Sequence, residues 1–512
     1  MTSAIRWASE FGVLVDRYAD RIAVIDGEGQ ATYREIFARA AGIARFLMES
    51  GIGSGTCVAT RFRNGTDAVA AMFGVMLAGA TDAPINPSLG AADRDHCLAI
   101  SNARVLLTSS NLASDLADEV SGTSCRIVSI DDIGSARIDA PDFPVVAADA
   151  PARIIFTSGT TGKPKGAVHT QRGRWTANLL LGASLPYRLS AENRVLLMTP
   201  FSHGASLLTH AYLSGGASVV LVDGVDAENI LNILESGTCD AMFAPPTVLA
   251  KIVSAINGGR RLPPLRTIYC GTAPLKSELY ARARAIFGPV VRISYGKSEI
   301  VNPITVLEPD DTDACYASTD GSSCVGYPAA GVEVAIRAED GTFSPAGETG
   351  EVLLRSQHLM AGYLTLDGFQ PLGPTDYHDT GDLGHIDSRG RLHLTGRMAD
   401  VIKTGGYKVT PDEVERAIAA AVAPADVAVV GIPSDYWGEV ILAAVERPSA
   451  GWEKQLQAIL QSMTDYKRPR LLVAVEELPR NSIGKIMRRQ LRNDILSRFS
   501  LIDGSRPRLE PV

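Results

Sequence analysis

Short apolar runs of strand length, alternating with segments of helical period, constrain this chain most. Strands are expected at 21–26, 57–62, around Ala83, and at 105–108, 152–156, 195–198, 218–222, 241–244, 267–270 and 290–294. Helices fit between them at 7–16, 67–77, 91–103, 170–185, 205–213, 227–234, 248–256 and 276–287. One more helix is marked by its chemistry. Thr32 and Glu35 form a capping-box pair, Ile36, Ala40, Ile43 and Leu47 follow at spacings of four, three and four, and Gly51 ends it. Such alternation argues for an α/β fold of parallel sheets covered by helices, with ligands taken at the carboxyl ends of the strands.

A chain of 512 residues is too long for one ordinary core, so two or more domains are expected. Between about 321 and 394 the pattern shifts to short alternating runs, such as 332–337, 350–354 and 391–394, punctuated by Gly, Asp and Pro. This reads as an antiparallel, barrel-like module. From Asp400 a smaller α+β unit follows. Its Gly405-Gly406 turn precedes a helix with Thr410 as N-cap, Pro411 at the first position and Glu413 closing a capping box. The expected division is a large N-terminal domain, 1–397, and a small mobile C-terminal domain, 398–512.

The net charge of −8, without long basic runs, leaves no electrostatic footprint for nucleic acid or an anionic membrane. Anionic ligands must therefore be met by local positive charge. Cys57, Cys97, Cys125, Cys239, Cys270, Cys315 and Cys324 are scattered, odd in number and without a CxxC pair, as reduced thiols in a cytoplasmic protein would be. The first sixteen residues include Arg6, Glu10 and Asp16 and lack the apolar core of a secretory signal. The longest apolar segment, 68–80, is too short to span a bilayer. The final Glu510-Pro511-Val512 is no peroxisomal address.

Local positive charge occurs in Thr157-Ser158-Gly159-Thr160-Thr161-Gly162-Lys163-Pro164-Lys165-Gly166. The stretch follows an apolar strand and precedes the segment read as a helix from about Thr170. Small hydroxyl residues and glycines let backbone N–H groups approach a polyphosphate, and Lys163 and Lys165 supply charge for it. The loop of nucleoside triphosphatases is excluded, because Pro164 stands where its second glycine belongs. Clusters of this composition usually mark solvated loops, but ten residues in this order are far more specific.

The decapeptide resembles the signature of the adenylate-forming, or AMP-binding, superfamily, which includes acyl- and aryl-CoA ligases, carrier-protein-loading adenylation domains and luciferase-type enzymes. Later segments extend the resemblance. Tyr295-Gly296-Lys297-Ser298-Glu299 is similar to the family's Tyr-Gly-x-Thr-Glu motif, whose Glu is associated with Mg²⁺ at the ATP phosphates and whose aromatic ring lies near adenine. Ser298 replaces the usual Thr and keeps a hydroxyl. Thr272-Ala273-Pro274, after Gly271, resembles the turn that lies against adenine. Asp382 in His378-Asp379-Thr380-Gly381-Asp382 and Arg397 after Gly396 match the family's ribose-binding pair. By composition alone, Asp382 is equally a turn residue and Glu299 a helix cap.

In the small domain, Pro479-Arg480-Asn481-Ser482-Ile483-Gly484-Lys485 resembles the family's final motif, whose Lys serves adenylation. Attack of a carboxylate on the α-phosphate brings two anions together, and an ammonium offsets their repulsion. Arg488 and Arg489 read as solvated surface. Lys403, Gly405 and Gly406 fall in a segment similar to the hairpin that lines the thiol tunnel of CoA ligases. Ala399 stands where the family's hinge residue is commonly charged or polar. Pro200-Phe201-Ser202-His203-Gly204 resembles the turn whose His borders the acyl pocket. Phe243 and Asn302 are expected to form other walls, and Lys297 either pairs with a second polar group on the substrate or snorkels to solvent.

The resemblance implies an ATP- and Mg²⁺-dependent acid:CoA ligase acting on an aryl or medium acyl carboxylic acid. A second reading keeps adenylation and hands the acyl group to a carrier protein or another nucleophile. A third is a non-catalytic nucleotide-binding module.

Overall fold

A computed structural model describes residues 4–114, 125–139, 142–157, 163–256, 260–317, 323–373, 376–423, 425–480 and 485–512, with Asn302 described by its backbone alone. The chain divides into two compact units, Met1–Glu333 with Leu354–His378, and Val334–Leu353 with Asp379–Val512.

The larger unit holds two mixed sheets. In one, Arg126–Ser129, Val105–Thr108, Cys57–Arg61, Thr81–Pro84 and Pro151–Thr157 run parallel, and Lys165–Thr170, Gly362–Thr365 and Gly368–Pro371 continue it antiparallel. In the other, Ile22–Asp26, Ser218–Leu221, Arg194–Leu197, Ala241–Phe243, Thr267–Gly271 and Val291–Lys297 are neighbours in a parallel array. The helix Tyr33–Glu49 carries the expected capping box, with Thr32 and Glu35 bonded reciprocally. It meets Thr66–Leu77 where Gly74 has no side chain, because a Cβ there would stand 2.8 Å from Ile43 Cβ. From Ala68 to Ala80 the chain is buried, which accounts for its apolar run as core. No helix among the described residues is long and apolar enough to cross a membrane.

In the smaller unit, Val427–Ser434 and Gly438–Glu446 form an antiparallel hairpin flanked by Ile402–Thr404 and, in parallel, by Leu471–Val475. Period-2 alternation sorts the two faces. Val427, Val429, Ala443 and Val445 pack on Val414, Ile418 and Leu456, from helices Pro411–Val422 and Trp452–Ser462. Ala428, Val430, Leu442 and Ala444 pack on Leu491 and Ile495 of Arg488–Arg498. Strands Val332–Arg337, Gly350–Ser356, His378–Ile386 and Leu392–Arg397 neighbour one another in that order.

The helix expected from about Thr170 is present at Gln171–Ala183 with Thr170 as its N-cap, while the residues just before it, Lys165–Thr170, form a strand that was not expected. One local expectation fails. Thr410 caps Pro411–Val422 by position only, making no side-chain cap bond: the Glu413 N–H donates to the Thr410 carbonyl at 3.2 Å, and the Glu413 carboxylate pairs with Lys467. All seven cysteines are free.

Candidate active site

The glycine-rich stretch joins two antiparallel strands. Lys165 lies opposite Thr157, and Thr157 Oγ1 donates to the Lys165 carbonyl at 3.4 Å. Ser158, Gly159, Thr160, Thr161 and Gly162 lie outside the described residues. Gly166 packs against the incoming strand, where a Cβ would meet Ile154 Cγ2 at 2.6 Å. Of the two lysines of the stretch, Lys163 is exposed and Lys165 half-buried.

Glu299 occupies a tight turn. Lys297 pairs with Ile300, so Ser298 and Glu299 alone connect Val291–Lys297 to the antiparallel Ile300–Leu307. Three contacts fix that turn. His169 Nε2 lies 2.8 Å from the Ser298 carbonyl, Met360 N–H donates to the Glu299 carbonyl at 2.8 Å, and Tyr363 Oη donates to Glu299 Oε1 at 2.7 Å. Burial lowers the His169 pKa to about 4, the Ser298 carbonyl opposing it. The neutral ring must therefore carry its proton on Nε2, since a carbonyl only accepts. Burial first, then the Glu299 charge and hydrogen bond, push the Tyr363 phenol up, so it remains a donor. None of these three contacts was expected, because a lone His or Tyr in an alternating run carries no signal of its partner.

The same unit holds the candidates for the base side of a nucleotide. Tyr295 is buried, and Gly296 and Ser298 are half-buried. Gly271 lies against the next strand, where a Cβ would meet the Ser294 carbonyl at 2.6 Å. Thr272 follows with φ +71, a left-handed conformation unfavourable for a β-branched residue. That strain turns the chain into half-buried Ala273 and exposed Pro274.

His203 is the N-cap residue of Gly204–Ser214, and Phe243 lies beside the residue that follows it, its Cε1 3.5 Å from where a Cβ on Gly204 would stand. Beneath this turn lies a charge cluster that sequence reading missed. Arg153 Nη1 is 3.0 Å from Asp82 Oδ2, while Nη2 donates to Ser206 Oγ at 2.8 Å, and Ser206 Oγ donates to the His203 carbonyl at 2.8 Å. Arg174 Nη1 stands 3.8 Å from the same Asp82 oxygen. Burial, then the Arg153 charge, lowers the His203 pKa to about 4. Lys297 is half-buried, and the Asn302 side chain lies outside the description.

In the smaller unit, Asp382 sits opposite Arg397 in strand register, with Arg397 Nε 3.2 Å from Asp382 Oδ1. The Thr380 hydroxyl donates to the Val352 carbonyl at 2.6 Å and accepts from Asp382 N–H at 3.0 Å, fixing the strand that presents the carboxylate. Gly405 and Gly406 have φ of +55 and +84 and turn Ile402–Thr404 into Tyr407–Val409, the two-positive-φ geometry of a type I′ hairpin. Lys403 is exposed at its edge. Lys485 is half-buried at the end of a loop closed by an Arg480–Ile486 bridge and by Met487 N–H donating to the Pro479 carbonyl at 2.8 Å. Asn481 to Gly484 lie outside the described residues.

Arg488 corrects the sequence reading. It is no solvated surface residue: its guanidinium, 14% exposed, pairs with Asp400, Asp412 and Glu415 at 3.0, 2.7 and 2.8 Å. Burial disfavours its charge, but the Glu415 and Asp412 carboxylates outweigh burial and leave the Arg488 pKa raised.

An α/β enzyme with a large and a small unit is the class this architecture defines. The family described as AMP-binding enzyme matches residues 13–364, its C-terminal domain matches 413–485, and the chain belongs to that family. It is an acid–thiol ligase of the AMP-forming acyl/aryl-CoA synthetase type. The 2-succinylbenzoate–CoA ligase of Bacillus licheniformis is 28% identical, over 92% of this chain and 96% of its own. The feruloyl-CoA synthase of an Amycolatopsis species is 29% identical, over 92% and 95%. The solved amide bond synthetase McbA of Marinactinospora thermotolerans superposes with a TM-score of 0.84 at 26% identity, covering 95% of this chain and 99% of its own.

Proposed function

We propose that this ligase activates a small aryl or medium acyl carboxylic acid and passes it to CoA. A carboxylate oxygen attacks the α-phosphorus of ATP and the bond to the bridging oxygen breaks. Pyrophosphate leaves with that electron pair, and the acyl-adenylate remains. The CoA thiol then loses its proton, its sulfur attacks the acyl carbon, and AMP departs. Thr157, Ser158 to Gly162, Lys163 and Lys165 cradle the phosphates; Thr272, Ala273, Pro274, Tyr295, Gly296 and Ser298 hold the base side; Asp382 and Arg397 hold the ribose. His203, Phe243, Lys297 and Asn302 shape the acid pocket. Lys485 serves adenylation, and Lys403, Gly405 and Gly406 serve the thiol step, on a mobile unit bounded near residues 397 and 398.

The observation that carries this reading is the Glu299 turn, fixed by three contacts on the strand that leaves the phosphate loop and the segment paired with it. Among the described residues no group of three or more His, Cys, Asp or Glu could hold a metal ion. A single carboxylate fits a magnesium ion that takes most of its ligands from phosphate and water and neutralises charge on the triphosphate. Relatives acting on 2-succinylbenzoate and ferulate support an aromatic acid.

ATP–pyrophosphate exchange across aryl, short-chain and dicarboxylic acids tests the first step, and comparison of CoA with a loaded carrier and with amines tests the second. Exchange with an aryl or medium-chain acid, then thioester and AMP with CoA, is the expected result. Failure with every acid returns the nucleotide-binding module. Amide formation without CoA would favour a nitrogen acceptor, a second reading supported by the likeness to McbA.

A further inference from the structure

We propose that Tyr363 is a positioning residue for Glu299: its phenol holds one carboxylate oxygen and leaves the other for the magnesium ion carried by ATP. The inference rests on the reading of Glu299 given above and adds a residue to it. Tyr363 Oη donates to Glu299 Oε1 at 2.7 Å, and Glu299 Oε2 accepts no hydrogen bond from the described residues. A phenol has one proton to give. Directed at Oε1, it fixes the rotation of a half-buried carboxylate on a two-residue turn, so that Oε2 is the acceptor left over.

The placement of Tyr363 ties this contact to the phosphate loop. Tyr363 stands opposite Ala167 in the antiparallel pairing, and Lys165, two residues earlier, shares that face of the sheet. Lys165 Nζ accordingly lies 5.8 Å from the centroid of the Tyr363 ring. A cation over the ring draws electron density from it and makes the hydroxyl a better donor. One tyrosine thus joins the lysine that leaves the phosphate loop to the carboxylate that faces the metal. A purely structural role for the same bond would be to pin Gly362–Thr365 to the turn, and the two roles separate by experiment.

The full-length wild type, Tyr363→Phe, Tyr363→Leu and Glu299→Gln are titrated calorimetrically with α,β-methylene ATP, once with magnesium and once with EDTA. Magnesium should tighten binding to the wild type. Tyr363→Phe, which keeps the ring and loses only the hydroxyl, should cut that tightening by roughly tenfold, the usual effect of losing a partner of a metal ligand. Its affinity in EDTA and its thermal midpoint should stay near wild type. Tightening cut by Glu299→Gln but untouched by Tyr363→Phe overturns the inference and spares the Glu299 reading. Tightening untouched by both overturns both. A Tyr363→Phe loss accompanied by the same fall in thermal midpoint as Tyr363→Leu assigns the bond to structure and overturns the inference.

Discussion

Arg488 Nη1 lies 3.0 Å from Asp400 Oδ2, which joins the segment just past Lys485 to the chain just past Ala399. The same guanidinium holds Asp412 and Glu415 at the start of Pro411–Val422. Four segments of the small unit are thereby clamped at one cation, because Val429 N–H also donates to Glu415. Lys485 and the Gly405-Gly406 hairpin are built on this shared frame.

Removing that cation leaves three carboxylates facing one another. Burial, with Asp412 adding to it, already raises the Glu415 pKa, Arg488 opposing both. Arg488→Ala should therefore destabilise the small unit by about 3 kcal/mol, the cost of stripping one partner from a buried ion pair. Arg488→Lys, a single point charge in place of a fork, should recover only part. Urea unfolding followed by Trp437 and Trp452 fluorescence reads this, and an Arg488→Ala protein as stable as wild type would refute the clamp.

Lys485→Ala should lower the rate of ATP–pyrophosphate exchange by about a hundredfold or more, because one electrostatic contact to developing charge is typically of that size. Thioester formation from supplied acyl-adenylate and CoA should fall much less. Single-turnover assays of each step separate the two, and equal losses in both would remove Lys485 from its adenylation role.

The alternation of strands and helices was legible because each run repeats a period, and the Thr32–Glu35 box because both partners lie three residues apart. Asp382 and Arg397 were legible only as motif, and strand register then placed them side by side. The strand Lys165–Thr170 was missed, since Lys165-Gly166 reads as the end of the glycine-rich stretch and only Ala167-Val168 are apolar before the helix, too short a run to show a period. Arg488 looked solvated because its three partners lie 73 to 88 residues away. Arg153 and Asp82 were invisible for the same reason, being 71 residues apart and paired only once two parallel strands adjoin.

Four histidines make stability of the large unit fall with acid. Burial lowers the pKa of His169, His203 and His358 to about 4, and of His210 well below its ordinary value. The unfolded chain takes up these protons near pH 6.5 while the folded one does not, so the unfolded state binds more protons between about pH 6.5 and 4. Stability is full above pH 6.5 and declines as pH falls, by up to about 1.4 kcal/mol per pH unit for each histidine. Thermal midpoints across pH 5 to 7.5 should show the decline, and His210→Gln should make it shallower. A flat profile would show that these rings titrate alike in both states.

Asp82 and Arg153 offer the sharpest test of how the His203 turn is held. Two guanidiniums, Arg153 and Arg174, converge on one carboxylate that is 1% exposed, and Thr60 completes its bonding at 2.9 Å. Asp82→Asn removes the only carboxylate paired with either arginine among the described residues, and should cost about 3 to 5 kcal/mol by leaving buried cations unpaired. Arg153→Met should lose the bond to Ser206 and with it the support of the His203 carbonyl, raising KM for the acid more than KM for ATP. The double variant should be less destabilised than the sum of the single ones, because the second change removes the charge that the first left unpaired. Additive losses in denaturant unfolding would mean that the two side chains act independently. A KM for the acid unchanged in Arg153→Met would separate the cluster from the turn above it.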